Sequence, residues 1–395
     1  MSPVWSLARW AGVPQTMRVV SGRSWRGVAG TALALASVVL AASCAPGTPL
    51  SASATAAPGG PTPVTIAVSE PAPAPTTLPP IEPGPAPTQP FTVQRRELTV
   101  TRDGRSLRTV ILYPTTAATS GAPTGARSST PSTPPRSADP SASSPPATSS
   151  TPATAGDGQV PAHGFPLVLF SHGLQGSPEH YEPSLRTVAA AGFVVAAPEY
   201  PYTSDRTGEY NPVDLVNQPA DASAVITAVL TLNTTAGDPL AGRIDPNRIA
   251  AMGHSAGGYT TMGLLSSFRD HRLRAAVILA AASLGGTYTD PAVPVLFVHG
   301  EADSVVPYVQ GRAAYDHLPW PKAFLTIIDG GHTDFLDRDS RAATAVTQTV
   351  VDFLRAMLYG DIVALARVPA TASVDTVTRF ESALDGAARP SGGAR

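Results

Sequence analysis

Gly253-His254-Ser255-Ala256-Gly257 is the stretch that decides how this sequence folds. The apolar run Arg248–Met252 before it has the pattern of a strand, and Gly258–Leu265 after it has the pattern of a helix. A Gly-x-Ser-x-Gly between a strand and a helix predicts a nucleophile elbow, whose sharp turn leaves no room for side chains at positions 253 and 257. The elbow would hold the Ser255 hydroxyl above a sheet, at a helix N-terminus that favours a developing negative charge.

The composition indicates one globular domain with long appendages. Of the 395 residues only 14% are charged, and many of the 42 prolines lie outside the periodic segments. The net charge of −2 gives no indication of a nucleic-acid partner or of a polybasic membrane surface.

The first part of the chain, residues 1–43, is predicted to be a signal peptide of the lipoprotein type. Arg18, Arg23 and Arg26 precede the apolar stretch Val28–Ser43, which ends in small residues. This stretch is too short for a comfortable membrane span.

Cys44 is the only cysteine of the chain and directly follows that stretch. Leu40–Cys44 resembles the lipobox of bacterial lipoproteins, in which the cysteine is lipidated and becomes the mature N-terminus. We therefore expect an extracytoplasmic protein anchored to the membrane through a lipid at Cys44, with a secreted protein as the alternative. Translation begins at Met1 or at Met17. A single cysteine excludes an intramolecular disulfide.

Three segments have the composition of disordered chain. Residues 44–90 are rich in Pro, Ala and Thr and are predicted to form a tether. Residues 115–162 are rich in Ser, Thr and Pro and are predicted to form a disordered insertion within the domain. Residues 366–395 are predicted to be a flexible tail. The globular domain is thus expected to span residues 91–365.

Within that domain, strands and helices alternate. Period-two alternation at residues 96–101 and 107–113 predicts an antiparallel pair at a sheet edge. Continuous apolar runs separated by helical patterns predict an α/β fold, with a mostly parallel sheet covered by helices on both faces. The predicted buried strands are 166–170, 193–197, 249–252, 275–279, 295–298 and 324–328, and the predicted helices are 182–191, 219–232, 257–268, 309–316 and 342–358.

A serine nucleophile needs a base and an acid that orients this base. The candidate acids after Ser255 are Asp303, Glu301 and Asp334, and all follow predicted strands. Asp303 could alternatively cap the helix that begins near position 309. The candidate base is His332, which follows the last strand before the final helix. These side chains would meet at the carboxyl edge of the sheet.

The remaining histidines have other expected roles. His172 and His299 precede glycines at strand ends and are interpreted as structural, and His254 within the elbow would point away from the serine. A last group is expected to be solvated: His163, His180, His271 and His317.

An oxyanion hole is predicted after the strand that ends at Phe170. The glycines of Ser171–Gly176 would let backbone N–H groups turn toward a substrate carbonyl. The expected donors are the amides of Leu174 and of Ala256, the residue after the nucleophile.

The globular part resembles the α/β-hydrolases, and within them the platelet-activating-factor acetylhydrolase and dienelactone-hydrolase-like branch of bacterial esterases. The matching stretches are Val168–Leu174, Gly192–Pro198, Gln218–Val225 and Gly253–Tyr259. The resemblance implies Ser255 as nucleophile, Asp303 as acid, His332 as base, and Leu174 with Ala256 as oxyanion donors.

The sequence departs from this branch in informative ways. Dienelactone hydrolases use a cysteine nucleophile, whereas this chain has Ser255. Related polyester hydrolases tend to carry a methionine after the nucleophile and a C-terminal disulfide, whereas Ala256 stands here and a disulfide is excluded. Polyester cleavage is therefore not the favoured expectation.

The expected function is that of an exported serine hydrolase that cleaves carboxylic esters and needs no metal or organic cofactor. Its partner would be a small-molecule or lipid ester. Alternatives are a lipase or phospholipase acting on envelope lipids, a cutinase-like polyester hydrolase, or a surface binding protein without turnover. Candidate substrate contacts are Tyr181, Tyr200, Tyr202, Val306 and Phe335, although the tyrosines could equally be ordinary half-buried loop residues.

Overall fold

The buried apolar runs form the centre of one mixed sheet. A computed structural model describes residues 64–68, 80–83, 86–115, 160–283, 285–337 and 339–384. The strands of this described part are Val64–Ala67 (β1), Thr92–Arg102 (β2), Arg105–Thr115 (β3), Phe165–Ser171 (β4), Val194–Pro198 (β5), Ile244–His254 (β6), Leu273–Leu279 (β7), Val295–Gly300 (β8), Lys322–Ile327 (β9) and Thr378–Ala383 (β10).

The strands lie in the order β1-β2-β3-β5-β4-β6-β7-β8-β9-β10. From β5 to β9 all neighbours are parallel, whereas β2 pairs antiparallel with β3, β3 with β5, and β10 with β9. Every residue of β4, β5 and β8 is buried, as expected of parallel strands covered on both faces.

Six α-helices of the described residues cover the sheet: Pro178–Ala190 (α1), Gln218–Thr234 (α2), Ala256–Leu265 (α3), Tyr308–His317 (α4), Arg341–Tyr359 (α5) and Ile362–Ala372 (α6). Two separate apolar cores result. One contains Val225 of α2 and Ala314 of α4, and the other contains Leu185 of α1 and Phe353 of α5. The predicted α/β fold with helices on both faces is therefore confirmed.

The predicted flexible tail is wrong for residues 366–384. Helix α6 continues to Ala372, and Val368 and Ala372 are buried against the second core. Strand β10 then pairs with β9 from Thr378 to Ala383. Asp361 caps α6 by accepting hydrogen bonds from the amides of Val363 and Ala364. The apolar residues of α6 recur at helical spacing and pack on the second core, and the free edge of β9 pairs with β10. The composition of residues 366–384 does not reveal either contact.

The predicted tether also needs correction in its described parts. Val64–Ala67 forms β1, which pairs in parallel with β2, and Ala86 is buried. Ala86 donates its amide hydrogen bond to Asp361. Backbone hydrogen bonds to a sheet edge and to a helix cap order this segment without requiring large apolar side chains.

Several predicted segments lie outside the described residues. They are the signal peptide 1–43, the lipidation site Cys44, and residues 116–159 of the insertion. In the described part of the chain, none of the helices combines the length and the apolar character that a membrane span requires.

Candidate active site

Ser255 sits in a strained turn between β6 and α3. Its φ of 54° and ψ of −119° lie in a region that residues with a side chain rarely adopt. A Cβ at position 253 would come within 2.0 Å of the carbonyl oxygen of Gly257, and one at 257 within 1.9 Å of that of Ser171. The two glycines therefore meet the steric requirement that the sequence predicted.

His332 and Asp303 form a hydrogen-bonded pair beside the elbow. His332 Nδ1 lies 2.7 Å from Oδ2 of Asp303, whose side chain is fully buried. The other carboxylate oxygen, Oδ1, accepts hydrogen bonds from the amides of Val305 and Val306, both at 2.9 Å. Because the Asp303 carboxylate accepts a hydrogen bond from Nδ1, the proton of the neutral imidazole lies on Nδ1. Nε2 is then free to take a proton from a hydroxyl.

Of the three candidate acids, Asp303 is the one that contacts His332. Glu301 is exposed and forms an ion pair with Arg379 on β10, with a shortest N–O distance of 2.8 Å. Asp334 accepts a hydrogen bond from the amide of Gly331. Asp303 also caps its own loop, but it does not cap α4, which is preceded by Pro307.

The Ser255 hydroxyl is half-buried and forms no hydrogen bond within the described residues. Proton transfer from this hydroxyl to His332 requires a hydrogen bond between them, and that bond is not formed in this structure. Such contacts are often long in sites without substrate and shorten when substrate binds.

The turn after β4 lies directly against Ser255. A Cβ at Gly173 would come within 3.3 Å of Cβ of Ser255. The Gly173 carbonyl accepts hydrogen bonds from His172 Nδ1 at 2.7 Å and from the amide of Gly176 at 3.0 Å. Because C=O and N–H point in opposite directions in a trans peptide unit, these bonds also fix the direction of the Leu174 N–H.

Ala256, the second predicted oxyanion donor, is the first residue of α3. The N–H of a first helical residue has no acceptor within its own helix, and it lies at the positive end of the helix dipole. Both predicted donors thus flank Ser255, from the turn after β4 and from the start of α3.

Three buried histidines support the loops of the site. His172 accepts a hydrogen bond at Nε2 from the amide of Tyr200, and His299 Nε2 donates to the carbonyl of Val306 at 2.8 Å. His254 Nε2 donates to the carbonyl of His332 at 3.1 Å. The sequence predicted a structural role for His172 and His299 only. All three histidines lie one to four residues from a candidate site residue, and this spacing was the signal that they support the site.

Burial keeps these imidazoles neutral. It lowers the pKa of His172 and of His299, and burial together with nearby His332 lowers the pKa of His254 to about 3. A neutral imidazole has one donor and one acceptor nitrogen, so each of these side chains can hold two loop groups at once.

Comparison with known proteins agrees with this architecture. The sequence model of a family described as PET hydrolase-like matches residues 182–363, and that of platelet-activating factor acetylhydrolase, isoform II, matches residues 146–214. With the sheet order, the elbow and these two matches together, the fold is identified. The chain has the α/β-hydrolase fold. Its predicted resemblance to the esterases of this fold is confirmed.

Curated relatives of the chain include cutinases. The chain is 32% identical to cutinase est2 and 31% identical to cutinase est1, both of Thermobifida alba, over 149 residues in each case. It is 30% identical to cutinase 2 of Thermobifida cellulosilytica over the same length. These matches cover 37% of this chain and 45%, 46% and 52% of the respective relatives, about half the length of each.

Four of the predicted substrate contacts need correction. Tyr200 is fully buried and its hydroxyl lies 2.8 Å from Ser171 Oγ, and the Tyr181 hydroxyl contacts His254 and Gly173. Val306 and Phe335 are also buried. These four buried side chains belong to the packed framework beneath the loops of the candidate site.

Tyr202 is half-buried, and its ring faces the Arg105 guanidinium, 5.4 Å from the ring centroid. The exposed apolar side chains of the site loops are instead Leu174, at 37% exposure, and Val305, at 65%.

In the part of the chain that the structure describes, no group of three or more His, Cys, Asp or Glu side chains is placed to hold a metal ion.

The low pKa of His254 predicts a stability that depends on pH. An unfolded histidine titrates near pH 6.5, so between pH 6.5 and about 3 the unfolded chain binds a proton that the folded protein excludes. Stability therefore falls as the pH drops through this window, by about 2 kcal/mol at pH 5 from His254 alone. Urea unfolding at pH 7.5 and at pH 5 measures the loss.

The matched variants are His254→Gln and His163→Gln, since His163 is exposed. We expect His254→Gln to reduce the loss of unfolding free energy between the two pH values by about 2 kcal/mol, and His163→Gln to leave it unchanged. Equal losses in all three proteins would contradict a neutral, buried His254.

Proposed function

We propose that this chain is an exported serine hydrolase that cleaves carboxylic esters, with Ser255 as nucleophile, His332 as base and Asp303 as acid. The observation that carries the proposal is the 2.7 Å contact between His332 and the buried Asp303 carboxylate, beside the strained Ser255 turn. The cutinase relatives support an ester as the substrate class.

In the first half of the proposed reaction, His332 Nε2 takes the Ser255 hydroxyl proton while Oγ attacks the ester carbonyl carbon. The amides of Leu174 and Ala256 stabilise the negative charge on the carbonyl oxygen. Asp303 keeps the imidazole proton on Nδ1 and stabilises the imidazolium that forms.

In the second half, the imidazolium gives its proton to the leaving alcohol, and the acyl group remains on Ser255 Oγ. A water molecule then loses a proton to His332 Nε2 and attacks the acyl-enzyme. The acid is released and the Ser255 hydroxyl is restored. Each proton taken by His332 is returned, so the chain needs no other proton carrier.

Export and anchoring are proposed on the sequence alone. The apolar stretch before Cys44 and the lipobox-like residues 40–44 support a protein that is held on the outer face of a membrane by a lipid at Cys44. An ester substrate in that compartment would reach the site without crossing the membrane.

The first test is the replacement Ser255→Ala, with Ser266→Ala as the matched control. Ser266 lies at the end of α3, and its hydroxyl donates to the Met262 carbonyl. We expect Ser255→Ala to lower kcat for p-nitrophenyl butyrate by about 10⁴-fold or more, because no nucleophile remains, and Ser266→Ala to keep wild-type rates. Undiminished hydrolysis by Ser255→Ala would contradict the proposal.

A second candidate is a polyester hydrolase. Two observations favour it: the match to the PET hydrolase-like family, and the exposed apolar side chains of Leu174 and Val305 beside the site, which would suit an apolar polymer surface. Ala256 in place of methionine after the nucleophile speaks for a different substrate.

A series of p-nitrophenyl esters from acetate to palmitate, together with a polyester film, separates these candidates. We expect the highest kcat/KM for short acyl chains, because Tyr200, Val306 and Phe335 are buried in the framework and leave little apolar surface for a long chain. Faster hydrolysis of long chains with activation by micelles would favour a lipase, and release of soluble products from the film would favour the polyester hydrolase.

A further inference from the structure

Behind the predicted catalytic residues, two buried side chains connect the oxyanion turn to the loop of the base. The amide of Gly173 donates to the Tyr181 hydroxyl oxygen at 3.2 Å. That hydroxyl lies 2.8 Å from Nδ1 of His254, and Nε2 of His254 lies 3.1 Å from the carbonyl oxygen of His332. Tyr181 is 6% exposed and His254 is 3% exposed, so water does not compete for these contacts.

Each bond in this series has one defined direction. The His332 carbonyl can only accept, so the proton of the neutral His254 ring is on Nε2 and the lone pair is on Nδ1. The Tyr181 hydroxyl therefore donates to His254 and accepts from the Gly173 amide. Burial supports this assignment, because it raises the pKa of Tyr181 to about 12 and lowers that of His254 to about 3.

Ring packing holds the same two side chains in place. The Tyr181 ring lies 4.7 Å from the Phe170 ring and 5.7 Å from the His254 ring, centroid to centroid. The His254 ring lies 4.7 Å from the ring of His332 and 5.1 Å from that of Phe335. Rotation of either ring would thus break contacts on both sides.

We propose that Tyr181 and His254 are positioning residues, which set the distance between the oxyanion donor Leu174 and the base His332. The proposal rests on the proposed function. Neither side chain touches the substrate; each acts through the backbone of a loop, Tyr181 through Gly173 and His254 through His332. Rates of acyl transfer are sensitive to displacements of a fraction of an ångström between such groups, so loosening this series lowers turnover more than binding.

The replacement Tyr181→Phe keeps the ring and removes the hydroxyl. We expect kcat for p-nitrophenyl butyrate to fall about 10-fold while KM changes by less than about 2-fold, because the lost bonds orient groups that act in the transition state. Hydrogen exchange of the peptide that contains Gly173 should become faster, because its amide loses its acceptor.

The matched control is Tyr359→Phe, which also removes a buried tyrosine hydroxyl. Tyr359 is the last residue of α5 and lies outside the predicted site. Its hydroxyl donates a hydrogen bond to the carbonyl of Gly192. We expect Tyr359→Phe to lower the urea midpoint at least as much as Tyr181→Phe, yet to leave kcat within about 2-fold of wild type. An equal fall of kcat in both variants would mean that lost stability, not positioning, is measured, and would overturn the proposal.

A double-mutant cycle tests whether the two residues act as one series. We expect the fold-decrease in kcat caused by His254→Phe to be at least about 3-fold smaller in the Tyr181→Phe background than in the wild type. We also expect His254→Gln, which keeps a hydrogen-bond donor toward His332, to retain more activity than His254→Phe. An unchanged kcat in Tyr181→Phe, or additive effects, would overturn the positioning role. A wild-type protein without any ester hydrolysis would instead contradict the proposed function, and the positioning role would fall with it.

Discussion

The close approach of three backbone segments at the elbow is the constraint on which the site depends. The end of β4, the end of β6 and the start of α3 lie so near one another that no Cβ fits at position 253 or 257. This packing has two consequences. It forces Ser255 to a φ of 54°, and it brings the turn that follows Ser171 against Ser255. The proposed nucleophile and one proposed oxyanion donor are thus placed by the same steric contact.

The parallel sheet supplies the rest of the arrangement. Strands β8 and β9 end on the same side as β6, so the loops that carry Asp303 and His332 reach the elbow from one edge. Buried neutral histidines then hold these loops: His299 on the acid loop, His254 on the base loop and His172 on the oxyanion turn. Being neutral, they add directed hydrogen bonds without a positive charge that would oppose protonation of His332.

Much of the fold and of the proposed triad could be predicted from the sequence, because the signals are local. Apolar runs indicated the buried strands, and the glycines at 253 and 257 indicated the elbow. The spacing of residues after two strands indicated Asp303 and His332. Glu301 and Asp334 remained rivals of Asp303 in the sequence, and the structure adds that Glu301 is instead paired with Arg379.

The predictions that failed depended on contacts between distant parts of the chain. Tyr200 lies in a loop beside the site, yet its hydroxyl contacts Ser171 and its ring is fully buried. Strand β10 has few apolar residues and is ordered by pairing with β9, a partner about fifty residues earlier in the chain. Neither periodicity nor composition indicates such a distant partner, so the local sequence cannot predict the burial of Tyr200 or the pairing of β10.

The central claim is that the Asp303–His332 pair activates Ser255. The most direct measurement is the rate at which a fluorophosphonate labels the full-length protein, with the labelled residue located by mass spectrometry, in the wild type and in Asp303→Asn. The asparagine amide would donate to Nδ1 and leave the proton on Nε2, so the account predicts label on Ser255 and a rate about 10³-fold lower in the variant. Equal labelling rates in both proteins, or label on another residue, would contradict it.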